Sequence, residues 1–207
     1  MIAIVDYGLG NIRAFSNIYK TLNIAHLVAK GCDDLIGATK IILPGVGAFD
    51  HAMERLAASG MRETLDEMVI QKKIPVLGIC VGMQILAQSS AEGHLGGLGW
   101  IDGEVRSMRE DGFHLKGILP HMGWNQIRPT RRSGLFEGLG DDPEFYFLHS
   151  YYFKCNDNNN IIAEADYGGY FPGAVQSGHV FGTQFHPEKS HHNGIKILRN
   201  FAEMEAC

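Results

Sequence analysis

Two spacings of apolar residues alternate along the first half of the chain. Ile2–Val5 is a continuous apolar run closed by Asp6-Tyr7-Gly8-Leu9-Gly10, and after it Ile12, Phe15, Tyr19 and Leu22 recur at helical spacing. The first pattern predicts a strand buried on both faces, the second a helix with one apolar stripe. Leu27–Ala29 and Lys40–Leu43 repeat the strand pattern, the latter expected to stop at Pro44-Gly45-Val46-Gly47. Met53, Leu56, Met61, Leu65, Met68 and Val69 carry helical spacing through residues 50–72. Pro75–Ile79 is again continuously apolar, and from Cys80 the pattern turns helical. Alternating strands and helices with uniformly apolar strands predict a parallel sheet covered on both faces.

The second half is patterned differently. From Gly93 to Asn125 the chain is rich in glycine, carries both tryptophans and shows short alternating runs, which predict antiparallel strands and loops. Glu144–Leu148, Ile161–Ala165, Ala174–Ser177 and Val180–Gln184 read as further strands, and residues 156–160 as an Asn/Asp turn. From His192 a last helix is expected, with Ile195, Leu198, Phe201 and Met204 on one face. No repeat, low-complexity tract or linker divides the chain, so one domain over residues 1–207 is expected.

Composition excludes several classes of function. With 18 Lys+Arg against 23 Asp+Glu the net charge is −5, and no basic stripe offers a grip on nucleic acid or an anionic membrane. No apolar run approaches the roughly 18 residues of a membrane span, and MIAIVDYG lacks the basic start of a signal peptide. Cys32, Cys80, Cys155 and Cys207 form no CxxC pair, which suits reduced thiols in a cytoplasmic protein. His191-His192 is adjacent and no HExxH exists, so neither a metal nor a cofactor is expected.

Chemistry concentrates in three segments. In residues 75–86, PVLGICVGMQIL, a buried strand runs into Gly78-Ile79-Cys80-Val81-Gly82 and then a helix. This is the form of a nucleophile elbow with cysteine in place of serine. Flanking glycines would relieve crowding at the turn, and the helix start would favour thiolate. A buried core cysteine is the competing reading of Cys80. Val180–Phe185 then delivers His186-Pro187-Glu188, a base followed by a carboxylate able to orient it, with both expected on one side of extended backbone. Pro44-Gly45-Val46-Gly47 leaves the carboxyl end of a strand, where open α/β sheets place ligands, and its glycines allow N–H groups to face an oxyanion.

GICVGMQ, QFHPEKS and PGVGAF together resemble the class I glutamine amidotransferases of the cysteine–histidine–glutamate kind. DYGLGN (6–11), PHMGWN (120–125) and FLHSYYF (147–153) narrow the resemblance to the branch that serves as glutaminase subunits of imidazole glycerol phosphate synthases in histidine biosynthesis. The resemblance implies a flavodoxin-like three-layer α/β sandwich, mainly parallel with antiparallel additions in the second half. It implies Cys80 as nucleophile, His186 as base and then acid, and Glu188 as the group orienting His186. Gly45, Val46, Gly47 and Val81 would form the oxyanion hole, and Gln84, Glu92, Ser150 and Tyr151 the glutamine pocket. Val81 departs from the leucine common after the nucleophile, without consequence for its N–H. Residues 106–119 match no motif of the family.

The fold should consume nearly all of the chain, leaving no acceptor domain for the ammonia. The resemblance supplies one in a second chain, a (β/α)₈-barrel cyclase forming a heterodimer and making imidazole glycerol phosphate and AICAR. Asn11, His121 and Trp124 are the candidate contacts, the last two in an apparently exposed loop, with core packing the competing reading of Trp124. A paralogous glutaminase feeding another synthase, such as a surface-sugar amidotransferase, would carry the same triad. A non-catalytic assembly subunit would have no need of it.

Overall fold

The computed structural model describes residues 1–114 and 119–204, so Cys207 and part of the unmatched 106–119 stretch lie outside the described residues. The elements follow in the order β1 (Ile2–Val5), α1 (Ile12–Thr21), β2 (His26–Ala29), β3 (Lys40–Gly45), α2 (Phe49–Ala58), α3 (Arg62–Asp66), β4 (Val76–Cys80) and α4 (Val81–Gln84). Then come β5 (Ser89–Ser90), β6 (Gly103–Ser107), β7 (His121–Gln126), β8 (Arg128–Pro129), β9 (Glu144–His149), β10 (Tyr151–Cys155), β11 (Ile161–Asp166), β12 (Tyr170–Ser177), β13 (Val180–Thr183) and α5 (His191–Glu203). The main sheet has eight strands in the order β2-β1-β3-β4-β13-β12-β11-β8. Its first five strands run parallel, and β12, β11 and β8 add on antiparallel. This is the α/β architecture expected, a parallel core extended by antiparallel strands from the second half.

Apart from the edge strand β2, which is only partly buried, the parallel strands are buried along nearly their whole length, which is why their sequences are continuous rather than alternating. Helices cover them through stripes at helical spacing: Phe15 and Tyr19 on α1, and Phe49, Ala52, Met53 and Leu56 on α2. The helical pattern of residues 50–72 is broken where Gly60 takes φ +73°. Beyond it Leu65, Met68 and Val69 return to the core from α3 and the π turn Glu67–Gln71.

Three local readings are corrected. Pro44 does not stop β3, which runs on to Gly45 with Pro44 opposite Ile79 and Gly45 opposite Cys80. The pairing of β3 with β1 ends at Ile42, so the missing N–H of Pro44 breaks no ladder bond, and its carbonyl accepts from the Tyr7 hydroxyl at 2.7 Å. The helix after Cys80 is one turn long. Its i→i+3 bonds, Leu86 N–H to Met83 and Ala87 N–H to Gln84, carry the chain toward a short parallel pairing of β5 with β6. On α5 the buried face is Gly194, Ile197, Leu198 and Phe201, whereas Ile195 is 39% exposed. A Cβ at Gly194 would collide with the Pro187 backbone, so that close approach sets the rotation of the helix and turns Ile195 outward.

The remaining strands make two small sheets, β10-β6-β5 and β7-β9. A single residue, Ser150, joins β9 to β10, and it lies near the carboxyl ends of β3 and β4, lining the same cavity as Gly47 and Cys80.

Candidate active site

Cys80 sits at the carboxyl end of β4 with φ 56° and ψ −112°, a left-handed conformation for a side chain only 3% exposed. Such a backbone costs on the order of 1–3 kcal/mol and persists only where its surroundings enforce it. Glycines enforce it here. A Cβ on Gly78 would stand 2.5 Å from the Gly82 carbonyl oxygen, and Cβ atoms on Gly82 and Gly45 would collide with Leu43 and Gly82 backbone. The glycines therefore let β3, β4 and the first turn of α4 touch backbone to backbone, beyond easing the turn itself. Since α4 is four residues long, it offers Cys80 the N–H groups of a single turn rather than the dipole of a long helix.

His186 follows β13, and its Nδ1 lies 2.9 Å from Glu188 Oε1, with both side chains almost fully buried. The pair does not share a side through extended backbone as expected. Pro187–Lys189 forms a 3₁₀ turn, suited to a proline at its first position, that curls Glu188 back under the imidazole. Ser190 pins the turn, donating its hydroxyl to the His186 carbonyl at 2.6 Å while accepting the Tyr146 N–H at 3.0 Å. Burial pulls the His186 pKa down, but hydrogen bonding to Cys80 and Glu188 and their negative charge outweigh it and raise it to about 10. Glu188 Oε2 is buried without a hydrogen-bond partner, so the carboxylate is directed at the imidazole alone.

A cavity of about 330 Å³ opens over the thiol. Val46, Gly47, Cys80, Val81, Gln84, Glu92, Ser150, Tyr151 and His186 line it, bringing together positions scattered over more than a hundred residues of sequence. Gly45 lies beneath it, paired with Cys80, and Glu188 stands behind His186. A depression of about 690 Å³ beside Arg131 and Arg132 shares no lining residue with this cavity. Its lining has no cysteine or histidine, whereas the smaller cavity brings a thiol and an imidazole together.

Gln84 is buried, and its Nε2 donates to the Tyr151 carbonyl and to Gln184 Oε1, each at 3.1 Å. Gln184 in turn directs its Nε2 toward Cys80 Sγ at 3.9 Å. Glu92 Oε2 accepts the Phe49 N–H at 2.9 Å, which fixes the carboxylate at the start of α2. Sequence reasoning missed Gln184, Pro120, Leu148, His149 and Lys189. Each lies in a quoted motif, QFHPEKS, PHMGWN or FLHSYYF, but no spacing within those motifs marks it as part of the site.

The three candidate partner contacts separate. Asn11 is exposed at the start of α1, and Trp124 is 47% exposed and stacked on His191 with ring centroids 5.1 Å apart. His121 is not in an exposed loop but in β7, 3% exposed and hydrogen-bonded through Nδ1 to His149 Nε2 at 3.1 Å. Strand alternation is the cause: His121 faces inward, while Met122 and Trp124 face solvent opposite Leu148 and Tyr146 of β9.

The family model for glutamine amidotransferase class-I matches residues 9–204. The chain belongs to the class-I glutamine amidotransferase family. Within it, the chain is 59% identical over 205 residues to the imidazole glycerol phosphate synthase subunit HisH of Bdellovibrio bacteriovorus, covering 99% of this chain and all of that one. The protein of the same name from Leptospira interrogans is 52% identical over 204 residues, with the same coverage. Among solved structures, one described as a glutamine amidotransferase superposes with TM-score 0.76 at 20% identity, covering 98% of this chain and 97% of that chain. The PurLQS structure from Thermotoga maritima gives 0.71 at 18%, with 97% and 96% covered. At those identities the structures speak for the fold alone. Among the described residues no helix is long and apolar enough to cross a membrane.

Proposed function

We propose that this class-I amidotransferase is the glutaminase subunit of an imidazole glycerol phosphate synthase in histidine biosynthesis. One observation carries the reading: Cys80 and His186 line one cavity, with Glu188 bonded behind His186, in a chain whose full-length relatives are named as a subunit of that synthase. His186 holds the proton of Cys80, and the thiolate attacks the side-chain carboxamide of glutamine. The oxyanion of the tetrahedral intermediate is held by N–H groups of Val81 and of the Gly45–Gly47 segment. His186 then protonates the departing nitrogen, so that ammonia leaves and a γ-glutamyl thioester remains. Water, deprotonated by the same imidazole, cleaves the thioester to glutamate and the free thiol. Glu188 orients His186 and stabilises its charge. Gln84, Glu92, Ser150 and Tyr151 bind the substrate, with the Glu92 carboxylate suited to the α-ammonium.

Ammonia passes to a (β/α)₈-barrel cyclase in the cytoplasm. The exposed Met122, Trp124 and Leu148, on the outer face of β7 and β9 beside the cavity mouth, are the docking face, and Asn11 is a further contact. The test is glutamate and imidazole glycerol phosphate formation by the chain mixed with the cyclase from the same genome. Cys80→Ser should lose both with glutamine as donor and keep imidazole glycerol phosphate formation with ammonium. Loss of the ammonium reaction as well, or survival of the glutamine reaction, would overturn the assignment.

A further inference from the structure

The cavity wall opposite the nucleophile is built on a buried pair of histidines. His149 Nδ1 lies 2.8 Å from the Tyr151 carbonyl oxygen, and a carbonyl only accepts, so Nδ1 carries the proton. His149 Nε2 is then the acceptor, and its neighbour at 3.1 Å is His121 Nδ1, which must therefore be protonated. His121 Nε2 accepts in turn from the Asn125 amide at 3.3 Å, and that amide also donates to the Asp166 carbonyl at 3.0 Å. One tautomer of each neutral ring satisfies every contact, so the chain of bonds has a direction, from Asn125 inward to Tyr151. At its inner end the Tyr151 carbonyl also takes the Gln84 donor at 3.1 Å. Both lone pairs of that oxygen are then used.

We infer that His121 and His149 are positioning residues that hold the Tyr151 carbonyl, and with it the Ser150–Tyr151 rim of the glutamine cavity, for binding the substrate. The inference rests on the glutaminase reading and deepens it. Ser150 is the one-residue joint between β9 and β10; the Met108 N–H holds its carbonyl at 3.2 Å, whereas the next carbonyl, that of Tyr151, is held by the side chains of His149 and Gln84. The anchor is itself immobilised: His121 stacks on Tyr167 at 4.0 Å and on Phe147 at 4.9 Å, and His149 packs against Phe171 at 5.0 Å. Packing alone has no use for two buried imidazoles. Apolar rings would fill the same space without the desolvation cost that keeps both histidines neutral.

The experiment measures glutamine binding by calorimetry on the full chain carrying Cys80→Ala, which prevents turnover. Into it go His149→Phe, His149→Gln and His149→Asn. The asparagine amide falls where His149 Nδ1 sits and keeps the bond to Tyr151, whereas the glutamine amide falls at Nε2 and does not. Losing one buried hydrogen bond should weaken glutamine binding about tenfold in the Phe and Gln variants, while Asn stays within about threefold of the parent. Thermal unfolding recorded on the same samples separates positioning from stability, and the Asn–Gln comparison stands even where the Phe variant does not fold. Equal affinity in the Asn and Gln variants, or affinity unchanged in all three, overturns the inference and leaves the glutaminase reading intact. A Cys80→Ala parent with no affinity for glutamine overturns the reading itself.

Discussion

The two sides of the cavity are built in opposite ways. The nucleophile side is parallel sheet in which Gly45, Gly78 and Gly82 let β3, β4 and α4 meet through bare backbone, and the strained Cys80 is locked by these backbone contacts. The facing wall is antiparallel, carries Leu148, His149, Ser150 and Tyr151, and is held by side chains: His121 from 28 residues upstream and Gln84 from 67. A strained nucleophile tolerates no adjustment and is fixed by steric exclusion. A substrate wall needs only correct hydrogen-bond directions, which long-range polar contacts can supply. Mutations on the first side should therefore act on turnover, and those on the second on affinity.

The sharpest break of that contrast is Cys80→Ser. Serine is nearly isosteric, so the elbow should form, but its hydroxyl is a far weaker nucleophile beside a base matched to a thiol. Glutamine hydrolysis should fall by at least about 10³-fold with glutamine affinity roughly unchanged. A variant keeping more than about a tenth of the parent rate would show that the thiol does not carry the reaction.

Next in size is the pair His186→Ala and Glu188→Gln. On the proposed mechanism the imidazole moves protons in both half-reactions while the carboxylate only orients it, so the histidine variant should be the slower, both measured with the cyclase present. A Glu188→Gln protein slower than His186→Ala would reverse these roles.

A third test concerns a segment of the rigid side with room to turn. Gly45 is clamped against Gly82, but Gly47 has φ +90° with open space about it, and Val46 is 38% exposed. The peptide between Val46 and Gly47 has room to turn while Gly45 stays fixed, so on the proposed function a docked partner would set the oxyanion donors. One donor is worth about 10²–10³ in rate. Cyclase with its nucleotide substrate should raise kcat for glutamate formation by about that factor and change KM less. Equal kcat with and without them would mean that the donors are already set in the isolated chain.

The same contrast explains what the sequence disclosed. The elbow, the PGVG turn and the HPE segment each read as a contiguous segment, because backbone strain and close approach leave glycines and proline in fixed places. The run of buried strands was legible for the same reason, since strands covered on both faces are apolar throughout. His149 and Gln184 were not legible as site residues, because nothing in their own segments reveals which distant group they meet. His121 was misplaced outright: a Pro-Gly-bounded segment reads as loop, whereas its pairing with β9 makes it a strand and turns the ring inward. Ile195 failed by a smaller margin, since two apolar stripes are possible on α5 and the contact at Gly194 chooses between them.

The smallest expected effect is on stability against pH, and it again divides the two sides. Burial depresses His121 to about 4 and His149 to about 3, the charges of His121 and His186 adding to the effect on His149. The unfolded chain takes up these protons near 6.5, whereas the native wall refuses them. Unfolding thus binds protons, and native stability should fall as pH drops below about 6.5 toward these depressed values, by up to about 1.4 kcal/mol per pH unit for each ring. His186 is shifted the other way, to about 10, so its contribution is complete below about 6.5 and is lost as pH rises through 10. Urea midpoints at pH 7 and pH 5 on the parent and on His121→Phe separate the histidines from the carboxylates, which titrate alike in both proteins. The parent should lose more stability than the variant between these two values. Equal losses would mean that His121 takes up its proton in the native wall as readily as in the unfolded chain, which the direction of its hydrogen bond to His149 does not allow.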